Sequence, residues 1–196
     1  MHGAIKHVFD ALKNGLNKQP ELFGRLRLYF IGTSYAPAGQ GRETIVPLAK
    51  QFGLEGNVIE HTDRISYYHA LLTLQQADAL FIPGSDDPAY SASKLYPYLM
   101  TQKPLLAIFN RNSNVPGTLK NCALNANVLT FGNGEAPSGT VVYSVLTDWS
   151  KGILTPVEPT AGFEKYSARN LTGEQVNLFN LALQYNETKN SSARRA

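Results

Sequence analysis

The chain has 196 residues, enough for one domain that buries a core without a disulfide or metal staple. Hydrophobic residues make up 43% and charged residues only 17%, which argues against a charge-rich disordered chain and against a coiled coil. A dispersed net charge of +3 leaves no polyanion footprint, and the lone cysteine, Cys122, rules out an internal disulfide and a CxxC zinc or redox site. No apolar run approaches the ~18 residues of a membrane span, and Lys6, Asp10 and Lys13 break the apolar positions that a signal peptide would need. The expectation is a cytoplasmic protein.

Helical and extended signals alternate along the chain. Ala4, Val8, Phe9, Leu12 and Leu16 recur at helical spacing and predict an opening amphipathic helix, ended by Asn17, Gln19 and Pro20. Leu26 to Ile31 reads as a strand closed by Gly32, followed by a loop from Thr33 to Arg42. A helix is expected from about Glu43 to Phe52, with Pro47 near its first turn and Gly53 as its stop. Further strands are expected at Asn57–Glu60, Ala79–Ile82, Leu105–Phe109 and Asn127–Phe131. Between and after them, helices are expected at about Ser66–Ala77, Lys94–Thr101, Pro116–Ala123 and Gly139–Ser150. Pro156, Pro159 and Gly162 mark an irregular connection. Thr172 and Gln175 resemble a capping box for a last helix to about Gln184, before a polar, flexible tail over 186–196.

Repeated strand–helix units build a parallel sheet with helices on both faces, so the expected fold is a Rossmann-like three-layer α/β/α domain spanning residues 1–196. The series opens on a helix with no strand before it. That is what the later part of a longer α/β chain shows, and a domain that simply begins with a helix is the alternative.

Open parallel sheets bind ligands where the carboxyl ends of the strands run into helix starts. Three loops there carry polar residues. In the first, Gly32 to Gly41, the glycine spacing is not GxGxxG and no GK[ST] follows, which argues against a dinucleotide and a Walker loop. In the second, Glu60 to Arg64, Arg64 has the forked donor geometry that suits a phosphate, while Asp63 or Ser66 suits a helix cap. His61 and Asp63 lack a third ligand, so no metal site is expected.

The third loop runs Ser85-Asp86-Asp87-Pro88-Ala89-Tyr90-Ser91-Ala92-Ser93-Lys94. It leads from a strand into a helix. Pro97 keeps regular helix from starting before about Ser93, so Ser93 and Lys94 stand at the helix mouth, where free amides suit a diphosphate. Ser91 adds a hydroxyl. Ser93 as a plain N-cap and Lys94 as a solvated first-turn residue form the bland reading. Asp86, Asp87 and Tyr90 are sugar-binding candidates, with a turn as the simpler role for the two carboxylates. Cys122 reads as buried filler and the pair Tyr67-Tyr68 as packing. No Ser-His-Asp set stands out, so the catalytic residues are unknown.

At these residues the chain resembles the C-terminal, donor-binding half of GT-B glycosyltransferases, nearest to the family-4-like enzymes. Leu28-Tyr29-Phe30-Ile31-Gly32 is similar to their apolar strand ending in glycine. Ala77-Asp78-Ala79-Leu80-Phe81-Ile82-Pro83-Gly84-Ser85 is similar to their ADxxxxPS segment, with Gly84 inserted. Ser93-Lys94-Leu95-Tyr96-Pro97-Tyr98-Leu99 with Lys103-Pro104-Leu105-Leu106-Ala107 is similar to their SKLxEYL…KPxLA. The specific motifs cover about Ala77 to Ala107.

The resemblance implies a nucleoside-diphosphate sugar as donor substrate, with no cofactor and usually no metal. It places Ser91, Ser93, Lys94 and Leu95 along the diphosphate and Arg64 near the base. It implies an N-terminal acceptor-binding domain as partner, toward which the family's last helix returns. The family's glutamate pair E-x7-E falls on Ala89 and Pro97 here, and the basic residue after its early glycine falls on Thr33. A degenerate, non-catalytic nucleotide-sugar-binding or interaction module, or a related sugar-nucleotide epimerase, are the alternatives.

Overall fold

The structure, a computed structural model, describes residues 2–90 and 93–193, without the side chains of residues 2 and 186–193. It is an α/β fold with parallel sheets.

The opening helix α1 runs His2–Lys18 and is followed by a single turn, α2, at Pro20–Phe23. The proline sits at the first helical position, where its missing N–H costs nothing. Strand β1 is Leu28–Ile31 and helix α3 is Ile45–Phe52, ended by Gly53 in the left-handed conformation at φ 73°. Strand β2 is Val58–His61, helix α4 is Tyr67–Gln76, and strand β3 is Leu80–Pro83. The Ser66 hydroxyl caps α4 by accepting from the His69 amide at 3.3 Å. Helix α5 is Leu95–Met100, six residues, with Pro97 in its first turn.

Strand β4 is Leu105–Asn110, helix α6 Val115–Cys122, and strand β6 Asn127–Phe131, after a two-residue strand β5 at Ala123–Leu124. Helix α7 is Gly139–Ser150, capped by the Ser138 hydroxyl. The connection marked by Pro156 and Pro159 contains β7, Glu158–Pro159, which pairs antiparallel with β5, and then a turn α8, Ala161–Glu164. The last helix, α9, is Ala168–Ala193. Its start is fixed by Ser167, whose hydroxyl accepts from the Asn170 amide at 3.2 Å, so Thr172 lies inside the helix and caps nothing. The helix also passes the expected end at Gln184.

The five expected strands form two ladders, both parallel. One pairs β1 with β2 from Leu28↔Val58 to Ile31↔His61. The other has the order β3-β4-β6. Among the described residues no backbone hydrogen bond links the two ladders.

Alternation along β4 explains the core. Leu106 and Ile108 belong to one buried cluster, with Ala4, Ile5, Val8, Phe9 and Leu12 of α1 and Val142 and Leu146 of α7. Leu105, Ala107 and Phe109 belong to a second, with Leu95 and Leu99 of α5 and Val115 and Leu119 of α6. The first cluster also reaches Val58 of β2, with Phe30 of β1 packed against it. The Phe9 ring meets Phe30 and Phe52 edge-on, with centroids 6.3 and 5.7 Å away. Each such buried side chain contributes roughly 1.5–3 kcal/mol.

The other face of the β1–β2 ladder is bare. Tyr29 is 65% exposed, with Ile31 and Ile59 exposed beside it. No residue of α4 is buried. Tyr67 and Tyr68 touch each other, with ring centroids 5.6 Å apart, yet are 66% and 79% exposed. The sequence reading of that pair as packing is therefore corrected: among the described residues their only ring contact is mutual, and they face outward. Among the described residues no helix is long and apolar enough to cross a membrane.

Candidate functional site

The carboxyl ends of the strands carry the polar loops, and the two ladders treat them differently. On the β1–β2 side the loop is closed by two carboxylates. Glu60 is two residues beyond Val58, so its side chain faces α3, and a carboxylate there needs donors. It finds them at the start of that helix. Its Oε1 accepts from the Thr33 hydroxyl at 2.7 Å, and its Oε2 accepts from the Ile45 and Val46 amides at 2.8 and 2.9 Å. The Thr44 amide donates to both oxygens at 3.1 Å.

Burial pushes the Glu60 carboxyl up, but the hydrogen bonds from Val46, Thr33, Thr44 and Ile45 outweigh it and hold the group below its ordinary value of 4.5. The amides of α3 that would receive an anion already hold one. Asp63 ties down the same loop, accepting from the Gly39 amide at 2.9 and 3.1 Å. Asp63 therefore serves the loop, and Ser66 is the helix cap.

Arg64 stands beside this closed loop. Its guanidinium lies 5.3 Å from the centroid of the Tyr35 ring, and Tyr35 is 88% exposed. The pair forms a flat, cationic, solvent-facing surface.

On the β3–β4–β6 side the loop after β3 is held by short local bonds. The Gly84 amide extends the ladder, donating to Ile108 O at 2.7 Å. A Cβ at Gly84 would lie 2.7 Å from the Phe109 Cα and 2.8 Å from Ile108 O, so the residue inserted in the resembled motif is a glycine by necessity. The Ser85 hydroxyl accepts from the Asp87 amide, and Asp87 Oδ1 accepts from the Ala89 amide at 2.9 Å. Asp87 is thus an Asx-type turn residue, the simpler of its two sequence readings.

Asp86 is placed by its neighbours. Its main-chain carbonyl accepts from Asn110 Nδ2 at 3.1 Å. Its Oδ1 lies 2.7 Å from where a Cβ on Gly3 would sit, which seats the carboxylate against the first turn of α1. That turn has no acidic residue of its own, so Asp86 meets the positive end of the helix. Tyr90 is 37% exposed and stands near Tyr98, whose phenol is pushed up by burial and then by Tyr90.

Ser93 and Lys94 are exposed at the entrance to α5, and Lys94 makes no side-chain cap. Leu95 is 2% exposed and packs in the second core cluster, so only its main chain can face a ligand. Ser91 lies outside the described residues. With six residues, α5 has a small dipole, and its field adds little to the charge of Lys94.

The structure therefore brings Asp86, Asp87, Tyr90, Ser93, Lys94 and Leu95 onto one loop and its helix, and keeps Arg64 on the loop of the other ladder. Three contributors escaped the sequence reading. Glu60 was signalled by its place on the core face of a strand, two residues from Val58. Asn110 at the end of β4 and Tyr35 in a loop carried no such signal, because each finds its partner only through the fold. Arg111 pairs with Glu135 from the turn after β6. Cys122 is buried, with its thiol pushed up by that burial and partly lowered again by Lys165. A shallow cleft of about 240 Å³ lies at the opposite, amino end of β4 and β6, against Asn127, Asp148 and Trp149. It is remote in the fold from the strand ends where parallel sheets bind ligands.

No protein-family model, no curated protein and no solved structure matches the chain.

Proposed function

We propose that this chain is the donor-binding half of a glycosyltransferase, a three-layer α/β/α domain of the GT-B kind that holds a nucleoside-diphosphate sugar at the loop between β3 and α5. The observation that carries the reading is the contrast between the two strand-end loops. The amides of α3 are taken by Glu60, so a second anion there would meet a carboxylate. The β3–α5 loop instead presents Lys94 in the open, with the main chain of Ser93 and Leu95 beside it.

In this reading Lys94 and those amides stabilise the leaving diphosphate as charge develops on it. The exposed Tyr35–Arg64 surface offers a stacking face and a cation for the base or the phosphate next to it. Asp86 and Asp87 are engaged within the fold, which leaves Tyr90 as the sugar contact of the three candidates. Acceptor and general base belong to another domain.

A non-catalytic interaction module is the second reading. It is favoured by Ala89 and Pro97 at the family's glutamate positions and by the bare apolar surfaces of β1, β2 and α4.

Calorimetric titration of the chain with UDP, GDP, ADP and dTDP separates the two. Binding of one nucleotide, weakened about tenfold by Lys94→Ala, supports the donor site, since one charge-assisted contact is worth about 1.4 kcal/mol or more. No binding by any of the four, from a folded sample, favours the interaction module.

A further inference from the structure

Two apolar surfaces stand exposed among the described residues. The first is α9. Leu171, Val176, Leu178, Phe179, Leu181 and Leu183 are between 48% and 65% exposed. From Gln175 to Tyr185 no residue is charged. Gly173, Asn177, Asn180 and Gln184 fall at helical spacing on one narrow polar line, so the apolar side chains cover most of the rest of the circumference. A helix of that pattern is built to be buried. The second surface is the open face of the β1–β2 ladder with α4 beyond it. On the ladder Tyr29, Ile31 and Ile59 are exposed, and on α4, the helix that follows β2, Tyr67, Tyr68 and Leu72 are exposed as well. From Ile65 to Ala77 no aspartate, glutamate, lysine or arginine occurs. Parallel strands are almost always covered by helices on both faces, and this ladder is covered on one.

The two surfaces answer each other: one is a sheet face without its helix, the other a helix without a sheet. We infer that α9 of one copy covers the β1–β2 face of a second copy, and that the exchange is reciprocal in a two-fold dimer. The helix leaves its own body as one uninterrupted rod of 26 residues, about 39 Å long, and its described side chains from Arg169 onward are exposed. It therefore does not lie on its own open face. The six apolar side chains of α9 spread over more than half of its circumference, so one sheet face buries about half of them, on the order of 300–400 Å², and the face adds a similar area of its own, together near the ~800 Å² per partner of a stable interface. A reciprocal exchange buries that contact twice. Depletion of charge marks an interface centre, and both surfaces have it: none from Gln175 to Tyr185 and none from Ile65 to Ala77.

The test needs no nucleotide, so its outcome is independent of the donor-site reading. The mass of the full chain is measured by light scattering and sedimentation over a concentration series. A dimer of twice 21.5 kDa is expected. Phe179→Asp with Leu183→Asp disables the helix, and Tyr29→Asp disables the face, with Tyr68→Asp as the second face variant. All four positions are exposed, and circular dichroism checks that each variant remains folded. Each variant alone should dissociate about two orders of magnitude more readily. A mixture of the helix variant with the face variant should recover dimers, because the intact helix of one meets the intact face of the other. A monomeric wild-type chain overturns the inference. So does a face variant that dimerises as well as the wild type, which means that α9 pairs with α9.

Discussion

Glu60 Oε2 accepts the Ile45 amide at 2.8 Å, so a residue of β2 caps a helix that precedes it in the chain by fifteen positions. The residue before the helix, Thr44, makes no side-chain cap of its own. The helix start, the loop after β1 and the edge of β2 are thereby one unit. Replacing Glu60 with Gln keeps the shape and one acceptor but removes the charge. Glu60→Gln should lower stability by about 1–2 kcal/mol, the range for losing a helix cap with charge-assisted bonds. Urea unfolding measures it, and an unchanged midpoint would remove Glu60 from its capping role.

The same group sets an acid limit. Its folded pKa is depressed, so its contribution is whole above the ordinary carboxylate value of 4.5 and is lost as pH falls through the folded value. His7 acts in the same direction at higher pH. Burial in α1 lowers its pKa from 6.5, against a smaller opposing pull from Asp10, so stability also falls as the imidazole is forced to protonate below that range. Thermal melts from pH 7 down to pH 3 should show the melting temperature falling throughout. In Glu60→Gln the part of the fall below pH 4.5 should be reduced, while the part nearer neutrality persists.

Asn110 joins three places: it donates to the Asp86 carbonyl and accepts from the Asn112 amide at 3.0 Å, at the carboxyl end of β4. Asn110→Ala should cost about 1–2 kcal/mol. Its sharper effect should be local: amide hydrogen exchange at residues 85–90 should speed up while exchange in β4 tracks the global change. Uniform acceleration everywhere would mean that the side chain serves the core rather than the loop.

Cys122 is 1% exposed, and its Sγ points to Gly162 O at 3.8 Å. With the thiol pKa raised, the native chain should not react with a thiol reagent on the timescale on which the denatured chain reacts fully. Rapid reaction of the native chain would show that α6 and α8 open locally.

Most elements of this fold were legible because they obey local rules. Asn127–Phe131 and Gly139–Ser150 have the bounds that their residue patterns predict. The pair β5–β7 was not legible: two strands of two residues have no periodicity, and they form because α6 delivers Ala123 beside Pro159. The start of α9 was misplaced since Thr172-Gly-Glu-Gln has a capping pattern, while Ser167 captured the helix five residues earlier. At the candidate site, the turn at Asp87 follows from its own residues. The seating of Asp86 against Gly3 and the hold of Asn110 on the loop are contacts across the chain that no short window contains.

The division of the strands into two ladders has a mechanical consequence. Hydrogen bonds between strands are directional and resist shear, whereas packed aliphatic and aromatic side chains tolerate small sliding. Here α1 spans the seam, with Phe9 against Phe30 and Phe52 and its neighbours against Leu106 and Ile108. The half bearing Arg64 and the half bearing Lys94 are held in register by the grease on one helix rather than by a rail of amides. The spacing between those two cations is thus set by side-chain packing, through how α1 sits.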